Sequence, residues 1–169
     1  MTPPCRVGDE LPPLEIPVTR TLIVAGAIAS RDYQDVHHDA ASAREKGSPD
    51  IFMNILTTNG LVGRYITDHF GPTAVLRKVA IRLGAPNYPG DVLRLTGRIT
   101  ELRTADTSSA DTSSADASSD EVVDAVEAIE AIEAIEAVVQ VTGGNGIGRH
   151  VTGTVTVTLP EPSAERAGA

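Results

Sequence analysis

Apolar and polar residues alternate along three stretches of the chain. Val79, Ile81 and Leu83 are spaced by Ala80 and Arg82. Leu93, Leu95 and Ile99 are interleaved with Arg94, Thr96, Arg98 and Thr100. Val151, Val155, Val157 and Leu159 stand among Thr152, Thr154, Thr156 and Thr158. A period of two predicts strands of a sheet with one covered face. "VVQV" ahead of "GGNGIG" supplies the hairpin partner of the last strand, and "YPGD" turns the chain between the first two. The first half follows another pattern. Ile51, Ile55, Leu56, Val62, Tyr65 and Ile66 predict a long helix over about 51–69, opened by Pro49 and Asp50 and stopped by Gly71 and Pro72. Gly60 and Gly63 lie inside it, each at about 1 kcal/mol relative to Ala, which suggests another backbone packed close. "LIVAGAIASR" is apolar all round; Thr21 as its N-cap favours a helix, with a buried strand as the alternative. "DAASARE" reads as a short helical turn ending at Gly47, which Asp39 is placed to cap. A short strand is expected near Glu15–Thr19, after a Pro-rich leader over 1–14 lying extended on the surface. The plan is one short strand, one long helix and four antiparallel strands in a single domain over 1–169. This is an α+β fold in which a sheet wraps a central helix so that each buries the other.

One segment fits neither period. "ADTSSADTSSADASSD" is a five-residue repeat and "AIEAIEAIEA" a three-residue one. Helix places the Ile residues of the second on a drifting stripe with Glu repelling Glu; a strand divides them between two faces. The stretch 104–136 is therefore expected as a low-complexity acidic insertion in a β-hairpin, partly disordered, with helix an open alternative over 121–136. It changes the meaning of the charge. The net charge is −9, but ten acids lie between 105 and 136 with no base among them, so the rest of the chain is close to neutral. No basic stripe supports a nucleic-acid partner. No apolar run approaches the roughly 20 residues that span a membrane, and no signal peptide is evident. Aromatics make up 3% of the chain, so the core must be aliphatic, and the single cysteine, Cys5, points to a reducing cytoplasm.

The candidate chemistry sits in "SRDYQDVHHDA", residues 30–40. A metal site is disfavoured, because His37, His38 and Asp39 are consecutive and their side chains diverge, and nothing ties the distant His69 or His150 to them. Solvated loop residues are one reading, strongest for His38, Asp35 and Asp39. An acid–base pair is the other: Asp32 and His37 are five apart in a loop, and a curl of that loop brings carboxylate and imidazole to one cavity, where they can hold and deprotonate water near neutral pH.

"RDYQDVHHDAASAREKG" resembles the signature of the MaoC-like (R)-specific enoyl-CoA hydratases, which have the hot-dog fold. That signature runs Asp, any residue, Asn, Pro, an aliphatic, His, five residues, then Ala or Ser. Asp32, Val36, His37 and Ala43 fall in register, while Gln34 and Asp35 stand in place of Asn and Pro. "RDYQDVHHD", "DIFMNILTTNGLVGRYITD" and "RLGAPNYPGD" are similar to the small single-hot-dog subunits of actinobacterial hydratases of steroid side-chain degradation. The resemblance covers about 15–160 apart from the insertion. It implies an α,β-unsaturated acyl-CoA substrate, with a steroid on the acyl side, and a second MaoC-like hot-dog chain in a heteromer, or else a homodimer. It implies no cofactor, coenzyme A being part of the substrate, and no metal. It assigns catalysis to Asp32 and His37 and an oxyanion-binding backbone N–H to Asn54. Here Met53 and Asn54 replace the family's His-Gly pair, which leaves the N–H but alters the backbone's freedom. Gln34, Ile51, Phe52 and Ile55 are the substrate-side candidates; Arg77, Lys78, Arg82 and Arg94 are within the scope of CoA phosphates or are solvated strand residues. Two further readings stay open: a non-catalytic hot-dog subunit that shapes a partner's pocket, and a hot-dog thioesterase, since fold does not fix chemistry.

Overall fold

Each alternating segment forms a strand, and together they make one antiparallel sheet. The computed structural model describes residues 5–104 and 134–160. The strands are β1 (Glu10–Pro17), β2 (Val75–Leu83), β3 (Val92–Thr104), β4 (Ala134–Gly144) and β5 (Arg149–Pro160), in the spatial order β1-β3-β4-β5-β2. Helices α1 (Arg20–Ala29), α2 (Ala40–Glu45) and α3 (Ile55–Phe70) all fall between β1 and β2 in sequence, with a 3-10 turn at Asp35–His37. The inward side chains of β3 and β5, among them Leu93, Leu95, Ile99, Val155 and Val157, are fully buried and join Val62, Tyr65, Ile66 and Phe70 of α3 in one core. Each such side chain stabilises the fold by roughly 1.5–3 kcal/mol. The core is aliphatic, and its large aromatic groups have special seats. Gly97 of β3 leaves room for the Tyr65 ring, and the Tyr65 hydroxyl donates to the Leu11 carbonyl at 3.3 Å, tying α3 to β1. Burial pushes the Tyr65 phenol up to about 12.

Several boundaries differ from expectation for physical reasons. β1 begins at Glu10, five residues early, because Pro12 and Pro13 sit at a bulge between Leu11 and Leu14 on an edge strand, where missing N–H groups disrupt no central ladder. The cap of α1 is Thr19, whose side chain accepts from the Leu22 N–H at 3.0 Å, rather than Thr21. α3 starts at Ile55 instead of 51: Asn54 is extended and caps it, and the segment before it is tied to other parts of the chain. Ile51 donates to Asp50 Oδ1, Phe52 to the Val36 carbonyl and Met53 to the Asn87 carbonyl. It ends at Gly71, whose φ of 90° no other residue adopts easily. Gly60 and Gly63 do not meet a backbone: space beside Gly60 is open, and Gly63 faces the Leu76 side chain. The close approach comes elsewhere, at Gly26 of α1, where a Cβ would lie 2.8 Å from Thr57 Cγ2 of α3. β3 and β4 pair as a hairpin out to Thr104 and Ile135, so Ala134–Glu136 is strand; the rest of the expected insertion, 105–133, lies outside the described residues.

Candidate active site

The end of α1 places the candidate carboxylate. Ser30 caps the helix, and Arg31 follows with φ 57°. The Arg31 N–H donates to the Ile28 carbonyl and the Asp32 N–H to the Ala27 carbonyl, at 3.0 and 2.9 Å. This is the reciprocal pair of bonds of a left-handed helix terminus, usually built on glycine. It carries Asp32 directly off the last turn, and so the carboxylate is positioned by a helix rather than by a free loop.

The 3-10 turn delivers the imidazole. His37 is buried, and its Nδ1 lies 2.7 Å from the Phe52 carbonyl oxygen. A carbonyl only accepts, so Nδ1 carries the hydrogen, and in its neutral form the ring presents a lone pair at Nε2. Nε2 lies 3.4 Å from Asp32 Oδ2. The Phe52 ring packs edge-on against the imidazole at 5.0 Å, and Tyr88 packs edge-on against Phe52 at 6.4 Å. Two acceptors facing each other at this distance are satisfied together by one molecule that donates twice, as water does.

Asn54 joins the pair to α3. It is the N-cap, its Oδ1 accepting from the Thr57 N–H at 2.9 Å. Its Nδ2 donates to Asp32 Oδ2 and to Ser30 Oγ, each at 3.0 Å. Asn54 is 2% exposed, so all of these bonds form out of water. The Asn54 amide holds the Asp32 carboxyl below its usual range, opposed by desolvation and helped by the Gln34 N–H and by His37. The backbone N–H of Asn54 donates to no protein group among the described residues, and it opens a helix of 16 residues whose N-terminus carries partial positive charge.

The other sequence candidates scatter. Gln34 is exposed, and only its backbone N–H turns toward Asp32 Oδ1, at 3.4 Å. The amide that holds the carboxylate comes from Asn54 instead, 22 residues away in sequence. Ile51 is fully buried in the core and faces no open surface, whereas Ile55 is 47% exposed beside the Asn54 cap. Asp39 caps α2, accepting from Ala41 and Ser42, and Asp35 pairs with Lys46 and accepts from Ser42 Oγ, which holds it down at about 2. Arg94 pairs with Glu15 at 3.0 Å, and Arg77 donates to Thr158 Oγ1. A concavity of about 320 Å³ lined by Arg94, Thr96, Arg98 and Gln140 sits along β1, β3 and β4, away from Asp32 and His37. Among the described residues no group of His, Cys, Asp and Glu is arranged to hold a metal ion. Sequence reasoning missed the Asn54 side chain, for which the only signal was its place three residues before Thr57 at a helix start.

No protein-family model matches the chain. The R-hydratase PhaJ1 from Pseudomonas aeruginosa shares the fold, with a TM-score of 0.67 at 18% identity over 94% of this chain and 84% of that one. The beta subunit of the 3-oxo-4,17-pregnadiene-20-carboxyl-CoA hydratase of Mycobacterium tuberculosis is 38% identical over 153 residues, which cover 90% of this chain and 95% of the relative. The chain belongs to the MaoC-like hydratase family. The crystal structure of the ChsH1–ChsH2 complex from Mycobacterium tuberculosis matches with a TM-score of 0.69 at 38% identity, over 91% of this chain and 98% of that one. In this member of the family Asp32 and His37 face each other, and the amide that binds the carboxylate stands at the start of the central helix.

Proposed function

We propose that this chain is the small subunit of a heteromeric enoyl-CoA hydratase that acts on a steroid side-chain thioester, with Asp32 and His37 as its acid–base pair. The reading rests on one observation above the others: Nε2 of a tautomer-fixed His37 faces Oδ2 of an ionised Asp32 at 3.4 Å, beside an N–H at the start of α3 that no described residue engages. Water bridging the two acceptors from their open side has its oxygen lone pair free for the β-carbon. As the C–O bond forms, the pair takes a proton from the water and returns one to the α-carbon, so the double bond gains the elements of water. Negative charge gathers on the thioester oxygen as the enolate forms. The Asn54 N–H and the dipole of α3 are suited to stabilise it.

The apolar residues exposed around the pair support a bulky acyl group. Ile28, Tyr33, Ile55 and Leu56 are all exposed, and each lies within four positions of Asp32 or Asn54 along the chain. Patches of this kind mark a ligand or a partner, and the named relatives supply both: a pregnadiene-carboxyl-CoA as substrate and a two-chain complex as assembly. No described helix is long and apolar enough to cross a membrane. A cytoplasmic setting is part of the proposal and follows from the lone cysteine. The test is hydration of unsaturated steroid and straight-chain acyl-CoAs by the chain co-purified with its partner. Asp32→Asn and His37→Ala are each expected to lower turnover at least about a hundredfold. Near-normal turnover by both variants would move the chemistry to the partner, and release of free thiol would make the enzyme a thioesterase.

A further inference from the structure

His150 stands outside the site, at the start of β5, and is 1% exposed. Its Nδ1 lies 2.6 Å from the Ala85 carbonyl oxygen and its Nε2 lies 2.9 Å from Thr58 Oγ1. The carbonyl fixes the hydrogen on Nδ1, so the neutral ring accepts the Thr58 hydroxyl hydrogen at Nε2, the nearer of that hydroxyl's two acceptors; the Asn54 carbonyl lies 3.3 Å from Thr58 Oγ1. Each ring nitrogen has one partner, which satisfies the requirement for burying an imidazole among aliphatic side chains.

Both partners lead to the same place. Thr58 is fully buried, and its N–H donates to the Asn54 carbonyl at 3.2 Å, closing the first turn of α3. Ala85 begins the loop that runs to Asn87, whose carbonyl accepts from the Met53 N–H at 3.0 Å. That loop is itself held by β5, through Gly84 to the His150 carbonyl and Ala85 to the Arg149 carbonyl. Asn145 braces it from the β4–β5 turn, donating to the Pro86 carbonyl and to Asn87 Oδ1. Thus one arm from His150 reaches the residue before Asn54, and the other reaches the carbonyl of Asn54.

We propose that His150 and Thr58 are positioning residues, a buried strut that fixes the first turn of α3 and through it the Asn54 amide and N–H that face the reacting pair. Neither touches substrate; they act through Asn54. The proposal rests on the reading of Asp32 and His37 as the reacting groups. Its chemical content is the hydroxyl of Thr58, because a valine fills the same volume without donating to Nε2. Losing that donor loosens the turn that aims Asn54. Small misplacements of groups around a reacting centre lower turnover more than they weaken binding.

The test uses the full chain assembled with its partner. Thr58→Val is expected to lower kcat about tenfold with KM within about twofold, and Thr58→Ser, which restores the hydroxyl, to return kcat to within about twofold of the parent. Thr58→Ala gives the same comparison with Thr58→Ser should the valine variant fail to assemble. A normal kcat in the valine variant, or equal losses in the valine and serine variants, would overturn the strut. The Asp32→Asn and His37→Ala proteins measured alongside keep the two ideas apart. If they are inactive while Thr58→Val is normal, only the strut falls; if they are active, the reacting pair itself has been misread.

Discussion

Replacing Asn54 by aspartate separates two duties that one side chain performs. Asparagine caps α3 through Oδ1 and clamps Asp32 through Nδ2. The Asn54→Asp variant would keep the cap, since a carboxylate accepts from the Thr57 N–H at least as well and suits the helix dipole. It would turn the clamp into a repulsion. At an effective dielectric constant of about 20, two unit charges about 4 Å apart repel by about 4 kcal/mol, enough that one of the two carboxyls retains its proton into the working range. The Asp32 carboxyl, now held down by the amide, would be driven up. Asn54→Ala loses both duties: a cap is worth about 1 kcal/mol and a buried hydrogen bond to a charged group about 1.5–3 kcal/mol. The assay is kcat/KM for hydration across pH, with thermal midpoints alongside. For Asn54→Asp we expect the acid limb to move to higher pH, turnover at neutral pH to fall about a hundredfold, and a loss in Tm at neutral pH that shrinks as pH falls and one of the two carboxyls takes up its proton. For Asn54→Ala we expect a drop in Tm on the order of 10 °C. An Asn54→Asp protein with the parental acid limb and parental turnover would refute the reasoning, because the amide would then have no hold on the carboxylate.

Three more outcomes follow from the packing and the titrating groups. Gly26→Ala is expected to destabilise by about 1–2 kcal/mol despite alanine's better helix propensity, because its Cβ enters the Thr57 side chain; unfolding in denaturant measures this, and a stabilised variant would contradict the α1–α3 crossing. Arg31→Gly is expected to stabilise by about 0.5–1 kcal/mol, since Arg31 holds φ 57° where glycine is unstrained, and an unchanged denaturation midpoint would deny that strain. Burial holds His150 and His69 below the ordinary 6.5, against the pull of the Ala85 carbonyl and Asp91 on His150, so below that value the folded chain binds fewer protons than the unfolded one. Stability from these groups is complete above about pH 6.5 and declines as pH falls toward their folded values. The depressed Asp32 carboxyl adds a second loss only below 3.8, so a Tm that stays flat from pH 7 to 5 would count against the buried imidazoles.

The strands were legible because alternation is local: Leu93, Leu95 and Ile99 announce their covered face within seven positions. That Asp32 and His37 come together was legible through their spacing and their likeness to a known signature. The supporting groups were not, for a physical reason. Asn54 meets Asp32 across 22 residues and His150 meets Thr58 across 92, and no local period records such contacts. The boundary errors have the same origin. Thr19 rather than Thr21 starts α1 because the Val18 N–H and carbonyl are already bound to Asp91 and Gly90, which fixes where the chain leaves the sheet. Ile51–Met53 lie ahead of α3, where Phe52 and Met53 bond Val36 and Asn87 from distant parts of the chain. Ile51, a substrate-side candidate placed within the expected helix, is core.

The left-handed terminus of α1 has a mechanical corollary. It hangs Asp32 on α1, while Asn54 at the head of α3 bonds both Asp32 and Ser30, so the carboxylate is held from two helices at once. Gly26 is the shim between those helices. A side chain at position 26 would push on Thr57, whose N–H Asn54 caps, and so on the clamp itself.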